Sequence, residues 1–267
     1  MLNTFFKKIM PVAAIGMGLA LSGCDGMNIS IGDSDGVPLA ELDMSGPAPT
    51  ELVLAGPDTV VVTEGDELSI DVEGDAAAIE AMRFTLEDGT LGIMREKDGW
   101  EDNGTTTVRV TMPNPAEVVL AGSGRAELAG LAEAAEVTIA GSGTANAGEI
   151  AASKLEVTVA GSGSFEAAGT ATSLEMTIAG SGDAKMSGLK VDTAEITIAG
   201  SGSAEFASDG TVEASIVGSG DVVVTGNATC TVDSMGSGTV TCKATAAAPA
   251  DEAVEEATDE AATDEEA

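Results

Sequence analysis

Histidine and tyrosine are absent from this sequence, tryptophan occurs once and phenylalanine five times. Without histidine no side chain has an ordinary pKa near neutrality and no imidazole can bind a transition metal, so His-dependent triads and zinc sites are excluded. Without aromatic bulk, a core has to be filled by small aliphatic side chains in a narrow space. Basic residues are scarce as well: 11 Lys and Arg stand against 45 Asp and Glu, a net charge of -34. A surface of that sign repels phosphate backbones and anionic headgroups. It excludes nucleic acid as a partner and leaves cationic partners and divalent cations open. Apolar runs of membrane length are missing too.

What is present argues for a folded body. Hydrophobic residues make up 43% of the 267 and glycine numbers 34, enough aliphatic content for one sizeable domain despite the charge. The N-terminal stretch reads as an address. Lys7 and Lys8 form a charged region, Ile9 to Leu21 an apolar one too short to span a bilayer as an ordinary helix, and Leu21, Ser22, Gly23, Cys24 follow. This tetrapeptide resembles a bacterial lipobox, in which cleavage exposes the cysteine and its thiol is lipidated. Residues 1–23 are thus expected to be a lipoprotein signal peptide and Cys24 the lipidated residue, anchoring the chain to a membrane in an oxidising envelope compartment. Asp25, next to it, tilts the expectation toward the inner membrane. Residues 24–49, rich in Gly, Asp, Ser and Pro, read as a tether, and residues 246–267, with nine acids and no base, as a disordered acidic tail.

Between them the sequence repeats. The triplet Gly-Ser-Gly begins at Gly122, Gly141, Gly161, Gly180, Gly200, Gly218 and Gly236. Seven copies spaced 18 to 20 residues apart mean a solenoid. Apolar residues recur at even offsets from the triplet, as in Val137 and Ile139 before Gly141 or Ala204 and Phe206 after Gly200. Polar residues take the odd offsets, the period of a strand with one buried face. Each repeat is expected to supply two short strands joined at the triplet, with a second corner near Gly130, Gly148, Gly169, Gly188 and Gly226. The fold class that follows is all-β, a single-stranded parallel β-helix spanning residues 50–245, with regular coils at 117–243. Glu51 to Gly56 repeats the approach seen at Glu117 to Gly122 and predicts one degenerate coil upstream. The strand-like runs that follow it, through Met112, are expected to pair with or cap the first coil.

Five residues before each of the first six triplets stands a glutamate: Glu117, Glu136, Glu156, Glu175, Glu195 and Glu213. Carboxylates stacked about 4.8 Å apart repel by about 0.9 kcal/mol at the dielectric of water, before salt screening. Such a file is expected to attract divalent cations weakly, against the plainer reading of a solvated strand face. The Asp-bearing glycine corners of calcium-binding β-helices are missing, since only Asp183 and Asp221 follow a triplet. Thr138, Thr158, Thr177 and Thr197 form a second outward column, read as cross-strand packing. Short corners and a single Trp100 offer no walled cleft with paired acids, so neither an enzyme nor a cofactor is expected. Cys230 and Cys242 lie symmetrically about Gly236, which makes a disulfide across the last coil the expected pairing.

Several runs carry a family resemblance: Val60-Val-Val-Thr-Glu-Gly-Asp66, Ile70-Asp-Val-Glu-Gly-Asp75, Asp88-Gly-Thr-Leu91, Val108-Arg-Val-Thr-Met-Pro113 and Leu120-Ala-Gly-Ser-Gly124. In order and spacing they resemble the head GIN domain of putative autotransporter adhesins, over roughly residues 50–243. The resemblance implies a right-handed β-helical envelope protein, commonly a lipoprotein, with no catalytic residues to carry over. Two functions are carried forward. One is a non-enzymatic, adhesin-like module presenting an acidic face to a protein or surface partner. The other is a periplasmic accessory or stress-response module; a carbohydrate-active β-helix enzyme stands behind both.

Overall fold

The computed structural model describes residues 35–96 and 104–243. The signal peptide, Cys24, Trp100 and the acidic tail lie outside the described residues. Sixteen strands form one continuous sheet wound into a parallel β-solenoid.

The chain opens with β1 (Glu51–Gly56) and β2 (Thr59–Glu64), the degenerate coil. It then leaves the wall through β3 (Ser69–Gly74), the short helix α1 (Ala76–Glu80) and β4 (Met82–Glu87). It returns as β5 (Thr90–Arg95) and β6 (Thr106–Met112). The regular coils follow as β7 (Glu117–Gly122), β8 (Arg125–Leu128), β9 (Ala134–Gly141), β10 (Thr144–Gly161), β11 (Ser164–Gly180), β12 (Asp183–Gly200), β13 (Ser203–Gly218), β14 (Asp221–Thr225), β15 (Thr229–Gly236) and β16 (Thr239–Lys243).

Spatial order departs from chain order at the N-terminal end. β1 lies between β5 and β7, parallel to both, and β2 lies between β6 and β8. The runs expected to pair with or cap the first coil therefore divide three ways. β2 belongs to the degenerate coil, β5 and β6 build a further coil outside it, and β3 and β4 pair antiparallel with β6 and β5 to finish that end. Val37 in turn bridges Phe84 of β4, and Leu39 and Leu42 pack on the core. Residues 35–49, read from composition as part of a tether, thus lie against the body.

A second difference concerns the corners. From β10 to β13 the strand runs unbroken from one triplet to the next, 17 residues in β11, whereas β8 and β9, and β14 and β15, are the two short strands expected of each repeat. The second corner is a bulge within the strand, a register shift between Asn146 and Glu149 in β10 and between Glu166 and Ala168 in β11. A further bend falls between Ala171 and Leu174. There burial advances by three residues, past outward-facing Thr172 and Ser173. The bulges fall at or beside Gly148, Gly169 and Gly188, where the second corner was expected, whereas no glycine or proline marks the bend at Thr172 and Ser173, because the backbone stays hydrogen-bonded to its neighbouring coils while it turns.

Triplet corners are tight. Gly180 has φ 126°, and a Cβ there would lie 2.3 Å from the carbonyl oxygen of Gly161 on the coil below. A Cβ on Gly182 would meet the Gly163 oxygen at 2.7 Å. Both contacts are with backbone, so only glycine lets coils stack at strand spacing. Each corner is then held by a bond such as that from Ser181 N–H to Gly161 O, 2.8 Å.

Inward columns fill the narrow interior. Phe165 is fully buried between Ala145 and Ala184 in adjacent coils, and Phe206 between Met186 and Val224. One large ring flanked by smaller side chains fills the space without strain, which accounts for the scarcity of aromatics.

Candidate functional site

Parallel, in-register pairing turns each sequence position into a column. Glu117, Glu136, Glu156, Glu175, Glu195 and Glu213 are partners from coil to coil along one outward face. The structure adds a seventh member, Glu51, which pairs with Glu117. Its signal was already in the repeated approach Glu51 to Gly56. At the other end the file stops, because Thr231 pairs with Glu213.

Hydroxyl columns flank the carboxylates. Thr138, Thr158, Thr177, Thr197 and Ser215 lie on the triplet side, and Ser173, Thr193 and Thr211 on the other. Ser173, Glu175, Thr193, Glu195, Thr211 and Glu213 border a shallow depression of about 270 Å³ floored by Leu174 and Ala194. Exposed strand positions do not usually hold such regularity without a wall behind them. Here the wall is the buried column of Val157, Met176 and Ile196, partners in adjacent coils.

Charges along the file are unevenly compensated. Lys154 stands beside it in the flanking column, its Nζ donating to Glu156 at 3.0 Å and standing 3.9 Å from Glu175. The hydrogen bond to Glu156 and that carboxylate's charge raise the Lys154 pKa above the ordinary lysine range. Toward the N-terminal end, partial burial pushes the Glu117 carboxyl above the usual carboxylate range, and the charges of Glu51 and Glu136 push it further. Burial does the same for Glu136, helped by Glu156 and opposed by Lys154. Desolvation and like charge both disfavour the ionised form. The carboxylates form a line rather than a cage, and among the described residues no three His, Cys, Asp or Glu side chains group so as to hold a metal ion. Such an array can accept hydrogen bonds from amines or hydroxyls at a fixed repeat and draw cations to a surface.

Cys230 and Cys242 are disulfide-bonded, with Cα atoms 6.8 Å apart, and tie β15 to β16 across the last triplet. A buried ion pair that sequence reasoning missed occupies the opposite end. Asp58 and Arg95 have side chains 1% exposed, and Asp58 also accepts hydrogen bonds from Thr106 N–H at 2.7 Å and Thr106 Oγ1 at 2.9 Å. In register Asp58 stands where Gly124 stands one coil on, so the run Gly56-Pro57-Asp58 replaces a triplet. That substitution was the available signal.

Fold and face together define a parallel β-solenoid whose side wall is a ladder of carboxylates and hydroxyls. Residues 48–228 match the family described as putative auto-transporter adhesin, head GIN domain, and the chain belongs to that family. Adhesin-like membership points to a cell-envelope or surface-associated protein. Solved structures share the fold. A putative adhesin from Bacteroides fragilis is 17% identical with a TM-score of 0.67, the match covering 73% of this chain and 92% of that one. A putative lipid binding protein from Parabacteroides distasonis is 24% identical with a TM-score of 0.58, over 73% and 93% of the two chains. A putative adhesin from Parabacteroides merdae is 21% identical with a TM-score of 0.52, over 73% and 92%. No curated protein matches the chain.

Proposed function

We propose that this protein is a non-enzymatic, lipid-anchored adhesin-like module of the bacterial envelope, held by Cys24 and presenting its acidic face to a protein or surface partner. The observation that carries this reading is the file from Glu51 to Glu213, seven carboxylates in register on a rigid wall. A rigid array loses little conformational entropy on binding, so a partner with amines or hydroxyls at a matching repeat gains from many weak contacts at once. Divalent cations would associate along the same face weakly and without a defined site. Family membership agrees with the adhesin-like character and names no enzyme.

Protease shaving of intact cells, read with an antibody to the solenoid and compared with lysed cells, tests the placement. Loss of the body from intact cells supports presentation to an outside surface. Cleavage only after lysis overturns it and favours the periplasmic accessory reading.

A further inference from the structure

The two ends of the solenoid are finished differently. At the N-terminal end the edge strands β5 and β6 are turned over by antiparallel β4 and β3, and Val37 occupies the outer edge of β4. At the C-terminal end β15 pairs with β13 and β16 with β14, and among the described residues neither has a strand on its other side. Open edges of this kind invite another strand.

That end also differs in side chains. Val217, Val232 and Met235 are 57%, 48% and 73% exposed, the three most exposed large apolar side chains among the described residues. All three sit on the last two coils: Val217 and Met235 pair on the outward face of β13 and β15, and Val232 continues the inward column of Ala214 at the uncovered end. Charge fades at the same place: the glutamate file ends in Thr231, and residues 229–243 carry one acid, Asp233, and one base, Lys243, in a chain of net charge -34. The Cys230–Cys242 bond holds both edge strands in place.

We propose that the last coil is a docking surface for a second copy of this chain, two solenoids meeting end to end about a two-fold axis. The inference is independent of the function proposed above. Among the described residues, this nearly neutral strand edge with exposed apolar side chains on both of its faces is a place where two copies of a strongly acidic molecule can approach without opposing their carboxylate files. Antiparallel pairing of β15 with its own copy, centred on Val232, sets Val232 against Val232 and Thr231 against Asp233. No like charges then face each other, whereas centring on Asp233 would oppose two carboxylates. The chain after Lys243 adds nine acids to each copy, and this like charge opposes association. Added salt therefore strengthens the association, the reverse of a contact held by opposite charges.

Sedimentation velocity on the full chain carrying C24S, so that no lipid contributes, tests this over a range of protein and salt concentrations. A monomer–dimer equilibrium that tightens with salt is expected. V232K and M235E, each placing charge at the interface, are expected to weaken it by about tenfold or more. I79K, on α1 at the other end, is expected to leave it unchanged. Circular dichroism and an intact Cys230–Cys242 bond confirm that each variant is folded. A monomer at every concentration and salt overturns the proposal, as does a dimer indifferent to both V232K and M235E. Amide protection of β15 in the monomer that disappears when the chain is cut after Lys243 also overturns it, assigning the edge to the chain's own C-terminal segment.

Discussion

The guanidinium of Arg95 grips the carboxylate of Asp58 at two points inside the solenoid wall, Nε to Oδ2 at 2.8 Å and Nη2 to Oδ1 at 2.5 Å. The same Nη2 donates to Gly104 O at 2.8 Å. Arg95 ends β5 and Thr106 begins β6, so Asp58 ties the end of one strand to the start of the next. Asp58 does this from the neighbouring coil, in place of a glycine.

Removing one partner strands the other as a buried charge. D58A or R95A is expected to destabilise the N-terminal coils by about 3–5 kcal/mol. The double variant D58G/R95M, which restores the triplet glycine and leaves no charge behind, is expected to lose less than either single change. Urea unfolding of the three variants checks this. Additive losses in the double variant would show that the two residues act separately.

The carboxylate file makes a prediction about acid. Partial burial and neighbouring carboxylates hold the Glu117 and Glu136 carboxyls above the ordinary glutamate range in the folded state, so the folded protein takes up protons before the unfolded chain does. Their contribution to stability is complete below the unfolded value and is lost as pH rises through the folded ones. Mild acidification from neutrality is therefore expected to stabilise these coils. The variant E117Q/E136Q is expected to be more stable than wild type at neutral pH, by a few tenths of a kcal/mol per relieved neighbour after screening, and to show a flatter pH dependence. Denaturant midpoints measured at a series of pH values decide it. Equal slopes for both proteins would remove the file from the account.

The triplet offers a contrast between neighbours. A Cβ on Gly202 would lie 2.5 Å from the Gly182 carbonyl oxygen and 2.6 Å from Ile178 Cγ2, whereas Ser201 between two glycines is exposed. G202A is expected to cost about 2–4 kcal/mol and S201A less than about 0.5. Thermal melts of the two proteins side by side check the ratio.

How much of this could be read from the residues differs by region. From Glu117 to Gly236 the period of the triplet carried coil length, inward columns and the glutamate file, because stacking like on like forces sequence and structure into one repeat. The bulges fall at or beside Gly148, Gly169 and Gly188, where the glycines mark a second corner, but the bend after Ala171 was hidden, since a strand that turns while still bonded to its neighbours needs no Gly or Pro there. Upstream, the interleaving of β1 between β5 and β7 was illegible. Nothing local to Glu51 or Thr90 records which strand lies outside the other. Asp58 and Arg95 show the same limit: 37 residues separate them, and only the pairing of coils brings them together.

The disulfide is expected to act on one coil rather than on the whole. In a solenoid each coil is coupled mainly to its neighbours, so a terminal coil with a neighbour on one side only is the first to fray. Cys230 and Cys242, 12 residues apart, close a loop whose chain-entropy benefit is about 3 kcal/mol. That is comparable to what one exposed coil can lose. C242S is therefore expected to abolish amide protection across β15 and β16, including the Gly226 N–H bonded to Lys243 O, while β10 to β12 keep theirs. Hydrogen exchange resolved along the chain separates this from the alternative. Loss of protection running back through β12 would mean that the bond stabilises the rod as one cooperative unit, and the nearest-neighbour account of this solenoid would fail.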